Sequence, residues 1–536
     1  MKKLKLVCVA IAMAGAAPTF AGGLLTNTNQ HVAFNRMMSR EASIGIDGVY
    51  YNPAGVVFMG EGHHLAINWQ LAYQTRTINN DYKLFTNNVN NPITPRDFKG
   101  KAFAPVIPSF QYAYNKGKWS FQANFSLTGG GGKCTFDDGL GSFEKIVSET
   151  AIAACGLAGV VDQTLGNKLG QQGMEMFTSD LAFGKTGKYS FNSYMHGRQY
   201  YYGLSAGAAY KFCDNFSAFL GVRGVYALTN YYGYVENINV GNMPLYKVLD
   251  PTKENAANIE LSCDQTGVGF TPIIGVDYKT GRWNFSAKYE FKTRIRLKNK
   301  SVNQTPSIGN LPANLANQMT GILTARYQQA GLPLEQAKQQ AENTTNAVLN
   351  DPTVGATMMG LKTQFDAKLE KAIGEYEDGK KIAGDIPGYL ALGIGYSPVD
   401  AVRVNVGFHW FDDKNATSYN NRNKELKRGT LEYNAGVEVD VNKKITLSTG
   451  WQNTNYGLSD EYMDDKSFVV GSNSAAIGGV YHINKKMDLN VAYFYTFYQH
   501  KKTSETVQLA ADKSIVYNSD YTRNNNVFAV GLDINF

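Results

Sequence analysis

Residues that commonly do covalent or metal chemistry are sparse in this chain, and their spacing argues against an enzyme. None of the seven histidines stands in a His-x-Ser arrangement, and no Gly-x-Ser-x-Gly or His-Glu-x-x-His motif occurs. No Cys-x-x-Cys pair suggests zinc. We therefore expect no catalytic residue, no metal and no cofactor. Cys134 and Cys155 fall in one expected loop, which leaves a disulfide between them open.

Five basic residues stand where they could bind a carboxylate. They occupy the polar positions of alternating segments, namely Arg223, Lys288, Lys292, Arg294 and Arg403. A cation in a partly desolvated interior suits a carboxylate head group. The same positions also carry acids, among them Glu290, Glu432, Glu438 and Asp440. A lattice of ion pairs is the preferred interpretation, with head-group binding as the alternative.

The segments that carry these residues alternate with period two. From Trp119 to Leu127 the odd positions are apolar and the even ones are Ser, Gln or Asn. From Trp283 to Leu297 the odd positions are almost all apolar, whereas most even positions are charged. A face this charged does not suit the core of a β-sandwich, but it suits the lumen of a membrane barrel.

Turns and long connections alternate strictly along the chain. Short polar turns such as Asn115-Lys116-Gly117-Lys118 separate long connections at residues 77–100, 129–197, 230–258, 299–384, 413–427, 457–466 and 500–519. This spacing predicts fourteen antiparallel strands, with both barrel ends at the short-turn rim. The barrel must be closed, because bilayer hydrocarbon cannot satisfy an open sheet edge. We expect an all-β membrane protein whose barrel spans residues 63–536.

Composition and the N-terminus agree with export to an outer membrane. The chain has 33 Tyr, 28 Phe and 54 Gly, but a mean hydropathy of -0.30 argues against a helical membrane bundle. The apolar stretch from Leu6 to Ala17 follows three lysines and is too short to span a bilayer, which predicts a signal peptide over residues 1–21. The net charge of +7 and the absence of an aromatic-interleaved basic run do not suggest nucleic acid.

Residues 22–62 do not alternate and end near a rigid turn. The turn is Asn52-Pro53-Ala54-Gly55, in which Pro fixes φ and Gly permits a positive φ. Together with the run Phe103 to Pro108, the Gly-rich end of the third strand and the aromatic-ended terminal strand, this segment resembles the long-chain fatty-acid transporter family of bacterial outer membranes. The resemblance in recognisable motifs covers about a fifth of the chain.

The resemblance implies a fourteen-stranded barrel plugged by an N-terminal hatch, residues 22–62. Members of the family admit hydrophobic molecules from outside without an energy-coupling partner, pass them to an interior pocket and release them sideways through the barrel wall. Asn52, Pro53, Ala54 and Gly55 would then lie in the hatch. The implied partners are a hydrophobic ligand, outer-membrane lipid with lipopolysaccharide, and the barrel-assembly machinery, with the protein as a monomer.

Two further features are candidates for this transport path. Proline has no backbone N–H to donate to the neighbouring strand, and glycine has no side chain to pack. We therefore take Pro105, Pro108, Gly129 and Gly130 as candidates for a gap in the wall. Ordinary strand irregularity is the alternative. In the loop 299–384, two runs with helical spacing could form an apolar groove or simply the loop's own core, with candidate residues Leu315, Met319, Ile322, Leu361, Phe365 and Leu369.

Three other functions remain open at this point. A haem receptor could use His196 and His500 in the outer loops, although energy-coupled receptors need a plug larger than residues 22–62. A general porin would pass polar solutes, which a hatch should block. A surface-binding structural barrel would use its large outer loops, residues 129–197, 230–258 and 299–384, to hold partners.

Overall fold

The computed structural model describes residues 24–536, except Gln172, Ser307, Ala511 and Asp512. The expected signal peptide, residues 1–21, lies outside these described residues. The described chain forms a small N-terminal segment followed by a β-barrel with long connections at one rim. We call the two ends of the barrel the short-turn rim and the long-loop rim.

Fourteen antiparallel strands form the barrel wall, as the alternation and turn spacing predict. Eleven of them are continuous: β1 (Gly62–Tyr82), β2 (Arg96–Lys116), β3 (Trp119–Phe136), β4 (Tyr189–Cys213), β5 (Phe216–Val240), β6 (Ile259–Thr280), β9 (Val402–Phe411), β10 (Thr430–Asn442), β11 (Ile445–Asn455), β12 (Ser472–Asn484) and β14 (Lys513–Asn535). Three are broken into two segments: β7 (Trp283–Glu290 and Arg296–Gln304), β8 (Lys381–Ala383 and Tyr389–Val399) and β13 (Met487–Tyr498 and Lys501–Ala510).

The barrel closes through its first and last strands. β1 pairs with β14 from His64 opposite Asn535 to Tyr82 opposite Tyr517, so neither strand leaves an edge open at membrane depth. One expected loop is wrong: residues 500–519 are mostly strand, because β13 and β14 continue as a hairpin beyond the barrel. Its first strand, Lys501–Ala510, is mostly polar, and among its described side chains only Val507 and Leu509 near its end pack against the buried core, so it lacks the apolar alternation that marks the other strands.

Side chains divide between lipid and lumen along every strand. On β6 the outward positions include Phe270, Ile274 and Val276, whereas the inward positions include Gln265 and Asp277. A wall with an apolar outside and a polar inside is typical of a transmembrane barrel. Exposed Trp119 and Trp283 stand at the short-turn rim, and exposed Trp451 stands near the far end of β11, as interfacial girdles require.

The hatch fills the lumen beneath the long-loop rim. It contains the short helices α1 (Val32–Met37) and α2 (Gly48–Tyr51) and a 3₁₀ turn at Gly55–Phe58. Almost every residue from Thr26 to Val57 is buried. Phe34 stacks on Tyr51 with ring centroids 5.0 Å apart, which holds the two helices together.

Helices from three connections pack over the long-loop rim. They are α3 (Gly141–Leu169) between β3 and β4, the short α4 (Tyr246–Leu249), and α5 (Leu311–Gln329), α6 (Leu334–Leu349) and α7 (Pro352–Ile373) between β7 and β8. The helical spacing predicts two helices in the connection between β7 and β8, where the structure has three, and it misses α3. By length and composition α3 could cross a bilayer, but its apolar side chains join the core that these loops share.

Candidate functional site

The predicted hatch turn is fastened to three strands of the lumen wall. The Asn52 side chain donates a 2.5 Å hydrogen bond to the Asp277 carboxylate of β6. Gln122 of β3 donates to the Pro53 carbonyl oxygen at 2.7 Å, and Ser217 of β5 donates to the Ala54 carbonyl oxygen at 2.7 Å. Asn52 also accepts a bond from the Gly55 amide. The turn is therefore a fixed joint between the hatch and the barrel.

A buried network of charges joins the earlier part of the hatch to the opposite wall. Arg36 pairs with Glu438 at 3.0 Å, and Arg40 pairs with Asp47 at 2.7 Å. Glu41 and the wall residue His409 are 2.7 Å apart. Removing one partner of such a buried pair leaves an uncompensated charge and costs several kcal/mol, roughly 3–5. The sequence motif Ser39-Arg40-Glu41 carries no signature from which this role could be predicted.

Three of the predicted lumen cations are held in ion pairs. Arg223 makes a bidentate pair with Glu290, at 2.5 and 3.0 Å. Lys288 shares Glu290 at 2.9 Å and donates to the Tyr50 carbonyl oxygen of the hatch at 2.6 Å. Arg403 makes a bidentate ion pair with Asp440 near the short-turn rim. These contacts fit the ion-pair lattice and leave head-group binding at these three residues without support.

The other two predicted cations lie elsewhere because β7 changes phase. Up to Glu290 its even positions face the lumen, whereas beyond the break at residues 291–295 its odd positions do. The pairing register with β6 shifts by one residue across the same break, as in a β-bulge. Arg294 therefore faces outward, contrary to the prediction, and Lys292 donates to the Asn415 carbonyl oxygen at 3.0 Å.

Strands β2 and β3 separate in the middle of their common length. Residues 110–116 pair with 119–125 near the short-turn rim, and the strands meet again for two residues near the long-loop rim. Between these, residues 102–109 and 126–134 do not pair with each other. Two bulges in β3 bend it within this interval. All four residues predicted for a wall gap lie in the interval: Pro105, Pro108, Gly129 and Gly130.

The N-terminal segment lies behind this gap and bonds to both of its edges. The Leu25 carbonyl oxygen accepts a 3.0 Å hydrogen bond from the Gly130 amide, and the Asn27 amide donates to the Thr128 carbonyl oxygen at 3.0 Å. The Gln30 side chain donates to the Leu127 carbonyl oxygen at 2.8 Å. The backbone carbonyl oxygen of Gln30 accepts a hydrogen bond from the Ser109 hydroxyl of β2 at 2.7 Å. Residues 25–30 thus take the place of the missing strand pairing.

A cavity opens inside the barrel beside the same gap. Apolar side chains line part of it, including Leu24, Leu25, Met195, Phe468 and Val469. Its charged lining consists of Arg76, Lys466 and Arg523. Arg76 and Arg523 face each other in register across the β1–β14 pair. Lys466 contacts Glu375 at 3.2 Å. The upper lumen cavity is thus amphipathic, with three cations that the sequence interpretation missed.

A second cavity lies among the helices above the long-loop rim, and its lining is almost wholly apolar. Leu315, Leu361 and Phe365 line it together with residues of α3 such as Val147 and Leu157. Of the other predicted groove residues, Met319 is fully buried, Leu369 packs against the same core, and Ile322 is 40% exposed and lies away from the cavity. The predicted groove therefore needs α3 as its other wall.

A third cavity, of about 850 Å³, lies below the hatch at the short-turn rim and is polar. Arg36, Arg40, Arg403, Glu438 and Asp440 contribute charges to it. An apolar solute that moved straight down the barrel would have to leave an apolar environment and enter this charged chamber. Such a transfer loses about 0.8 kcal/mol for each CH₂ group.

The cysteines and exposed histidines add no further site. Cys134 and Cys155 are both free thiols, so the disulfide left open by the sequence does not form. His196 and Asn230 are in contact at 3.0 Å, as are His500 and Asp520 at 2.9 Å, and neither histidine lines the cavities described above. Among the described residues, no group of three or more His, Cys, Asp or Glu side chains could hold a metal ion.

Comparison with known proteins identifies the architecture. No protein-family model matches the chain, and no curated protein matches it in sequence. A FadL homologue from Pseudomonas aeruginosa superimposes with a TM-score of 0.57 over 96% of this chain and 100% of its own, at 14% identity. A TodX deltaS2S3 mutant monoaromatic hydrocarbon channel gives a TM-score of 0.51 over 94% and 98%, at 12% identity. The chain therefore has the fold of the FadL homologue: a closed, hatch-plugged barrel of fourteen antiparallel strands.

Proposed function

We propose that this protein is an outer-membrane channel for passive uptake of hydrophobic molecules, with long-chain fatty acids as its substrate class. Ligand enters from the loops above the long-loop rim, reaches the upper lumen cavity, and leaves sideways between β2 and β3. The observation that carries this proposal is the unpaired interval of residues 102–109 and 126–134, backed by the N-terminal segment.

The route follows from where the molecule is apolar. The loop cavity between α3, α5 and α7 is suited to capture alkyl chains. The chamber below the hatch is charged, and the hatch is fixed to the wall by buried pairs, so a straight path through the barrel is unfavourable. The β2–β3 interval begins roughly 18 Å above the short-turn rim, at 3.3 Å per residue and a strand tilt near 40°. An alkyl chain leaving there enters bilayer hydrocarbon without crossing water.

The upper lumen cavity favours a carboxylate over a neutral hydrocarbon. Arg76, Lys466 and Arg523 line it beside apolar side chains, which matches a ligand with an anionic head and an alkyl tail. An aromatic hydrocarbon is the second candidate substrate, because a TodX monoaromatic hydrocarbon channel has a similar fold. Arg76 and Arg523, together with Lys466, which already contacts Glu375, make the charged lining of the cavity basic, and this favours the fatty acid.

The other functions have less support. Transporters and channels, rather than enzymes, are the structural neighbours. A general porin needs an open polar path, whereas the described hatch fills the lumen. A haem receptor would be supported by the exposed histidines and a surface-binding barrel by the outer loops. Neither feature is as specific as the unpaired interval between β2 and β3.

The experiment is uptake of radiolabelled oleate by Gram-negative cells that lack their own fatty-acid channel and express this protein. Toluene is the neutral comparison ligand. We expect oleate uptake above the empty vector, and a loss of uptake in Pro53→Ala, which loosens the fastened turn while the barrel still assembles. No uptake of either ligand from a correctly assembled barrel would reject the channel. Uptake of toluene alone would favour the second candidate.

A further inference from the structure

A row of basic side chains lies on the outer surface of the barrel along the upper segment of β7. Arg294, Arg296, Lys298 and Lys300 all point outward and are exposed, because the break at residues 291–295 reverses the phase of the strand. Lys381 of β8 lies beside Lys298 in the strand register and is exposed as well. We call these five residues the basic ladder.

The basic ladder begins where the apolar belt ends. Arg294 follows Trp283 of the short-turn rim by about 28 Å of vertical rise, at 3.3 Å per residue and a tilt near 40°, which approximates the height of the apolar band of a membrane barrel. On the neighbouring strand β6 the outward side chains are Phe270 and Val268 beside the lower part of the ladder, then Thr266 and Asp264 opposite Lys298 and Lys300. The ladder therefore stands at the outer edge of the hydrocarbon.

In the part of the chain that the structure describes, four of these five cations have no carboxylate partner, unlike the paired lumen residues Arg223, Lys288 and Arg403. Within the described residues, no carboxylate lies at ion-pair distance from Arg294, Lys298, Lys300 or Lys381. Arg296 alone is paired, with Asp385 at 2.8 Å. Nearby acids are engaged elsewhere: Asp264 accepts from Asn230, and Asp378 accepts from the Ser301 amide. A concentrated positive charge at this level suits an anionic ligand from outside the chain.

We propose that the basic ladder binds phosphate groups of the glycolipid in the outer leaflet. Phosphates attached to lipid lie at the boundary between hydrocarbon and water, which is the level of the ladder. Arginine and lysine are the side chains that bind phosphate, Arg as a planar fork and Lys as a point charge. The interaction fixes the rotation and depth of the barrel in the membrane and is independent of the transported ligand.

The test is native mass spectrometry of the purified protein with bisphosphorylated lipid A in detergent. The variant R294Q/R296Q/K298Q/K300Q removes four charges from the ladder. The matched control K443Q/K444Q/K485Q/K486Q removes four exposed lysines from turns at the opposite rim. At about 1 kcal/mol for each cation near an anionic surface, we expect the ladder variant to bind lipid A at least tenfold more weakly than the parent and the control.

Two further arms decide the source of the phosphate and guard against misfolding. Lipid A without its phosphates should bind the parent no better than it binds the ladder variant, and inorganic phosphate should not displace bound lipid A at equal concentration. Heat-modifiable migration on gels reports that each barrel is folded. Equal lipid A binding by parent and ladder variant would overturn the proposal, as would equal loss in the control variant.

Discussion

The carbonyl oxygen of Leu25 accepts a 3.0 Å hydrogen bond from the amide of Gly130, at the point where β3 has lost β2 as a partner. A segment that is not part of the barrel thereby satisfies the exposed edge of a barrel strand. Because an unsatisfied backbone group in hydrocarbon costs several kcal/mol, the gap is stable only while the N-terminal segment stays in place. Under the proposed lateral exit, we therefore expect movement of this segment to accompany opening of the gap.

The first prediction concerns Gln30, which bonds to both edges of the gap. Gln30→Ala removes its side-chain bonds to Leu127 and Asn27 and should loosen the segment, so we expect faster leakage of a small hydrophobic dye through liposomes that contain the protein. Asn29→Ala is the matched control, since neither polar atom of the buried Asn29 side chain has a hydrogen-bond partner among the described residues. Equal leakage by the two variants would argue against a gate at this segment.

The second prediction concerns the cations of the upper lumen cavity. Arg523→Gln should weaken oleate binding by roughly tenfold, because a hydrogen bond to a charged group contributes about 1.5–3 kcal/mol. Binding of oleyl alcohol, which has the same tail and no charge, should change little. Arg403→Gln, in the chamber below the hatch and paired with Asp440, serves as the control. Tryptophan fluorescence quenching measures both ligands, and a parallel loss for acid and alcohol would contradict a head-group role.

The third prediction concerns capture by the loops. Phe365→Asp places a charge in the apolar cavity above the long-loop rim and should reduce uptake at low ligand concentration, while the rate at saturating ligand is kept. Met359→Asp introduces the same charge on the same helix at a side chain that is 72% exposed. Initial uptake rates over a range of oleate concentrations distinguish the two variants. An unchanged concentration dependence in Phe365→Asp would mean that the loop core does not bind ligand.

The fourth prediction is a pH dependence at Asp413, in the loop after β9. Its carboxylate accepts from the Leu24 amide at 3.2 Å and the Thr430 amide at 2.8 Å. Burial raises the pKa of Asp413 from 3.8 to about 6. A pKa that is higher in the folded state means that the folded state binds the proton more tightly. Local stability therefore falls as pH rises through this range, by about 3 kcal/mol in total.

Hydrogen exchange measures this effect directly. After correction for intrinsic exchange rates, we expect the amides of Leu24 and Thr430 to be better protected at pH 5 than at pH 7.5. In Asp413→Asn the pH dependence should disappear, since the side chain no longer titrates. Constant protection in the parent across this range would contradict the assignment.

The barrel could be predicted from sequence because the surroundings of each strand are recorded in the residue pattern of that strand alone. Each strand must present apolar side chains to lipid and polar ones to the lumen, so period-two alternation reports it directly. Short turns and long loops then give the strand count without any long-range information. The strand Lys501–Ala510 was not predicted, because it lies beyond the membrane-spanning part of the barrel, where neither face needs to be apolar.

The lumen site could be predicted only in part. Arg523 could have been predicted as a lumen residue, because it occupies an inward-facing position of the terminal strand. Arg294 was not, since the one-residue shift at the β7 break reverses its face and no sequence signal marks that break. The partners of the hatch residues Arg36 and Glu41, such as Glu438 and His409, lie several hundred residues away. Such pairs depend on the closed barrel and leave no local pattern.

The central claim is lateral exit between β2 and β3, and blocking that exit tests it most directly. In a Cys213→Ser background, which removes an exposed thiol, Pro105→Cys is reacted with a bulky maleimide, and oleate uptake is measured before and after. Leu204→Cys, outward on β4 and outside the unpaired interval, is labelled in parallel as the control. We expect labelling to abolish uptake in the Pro105→Cys protein and leave the control unchanged. Undiminished uptake by fully labelled Pro105→Cys protein would contradict exit through this gap.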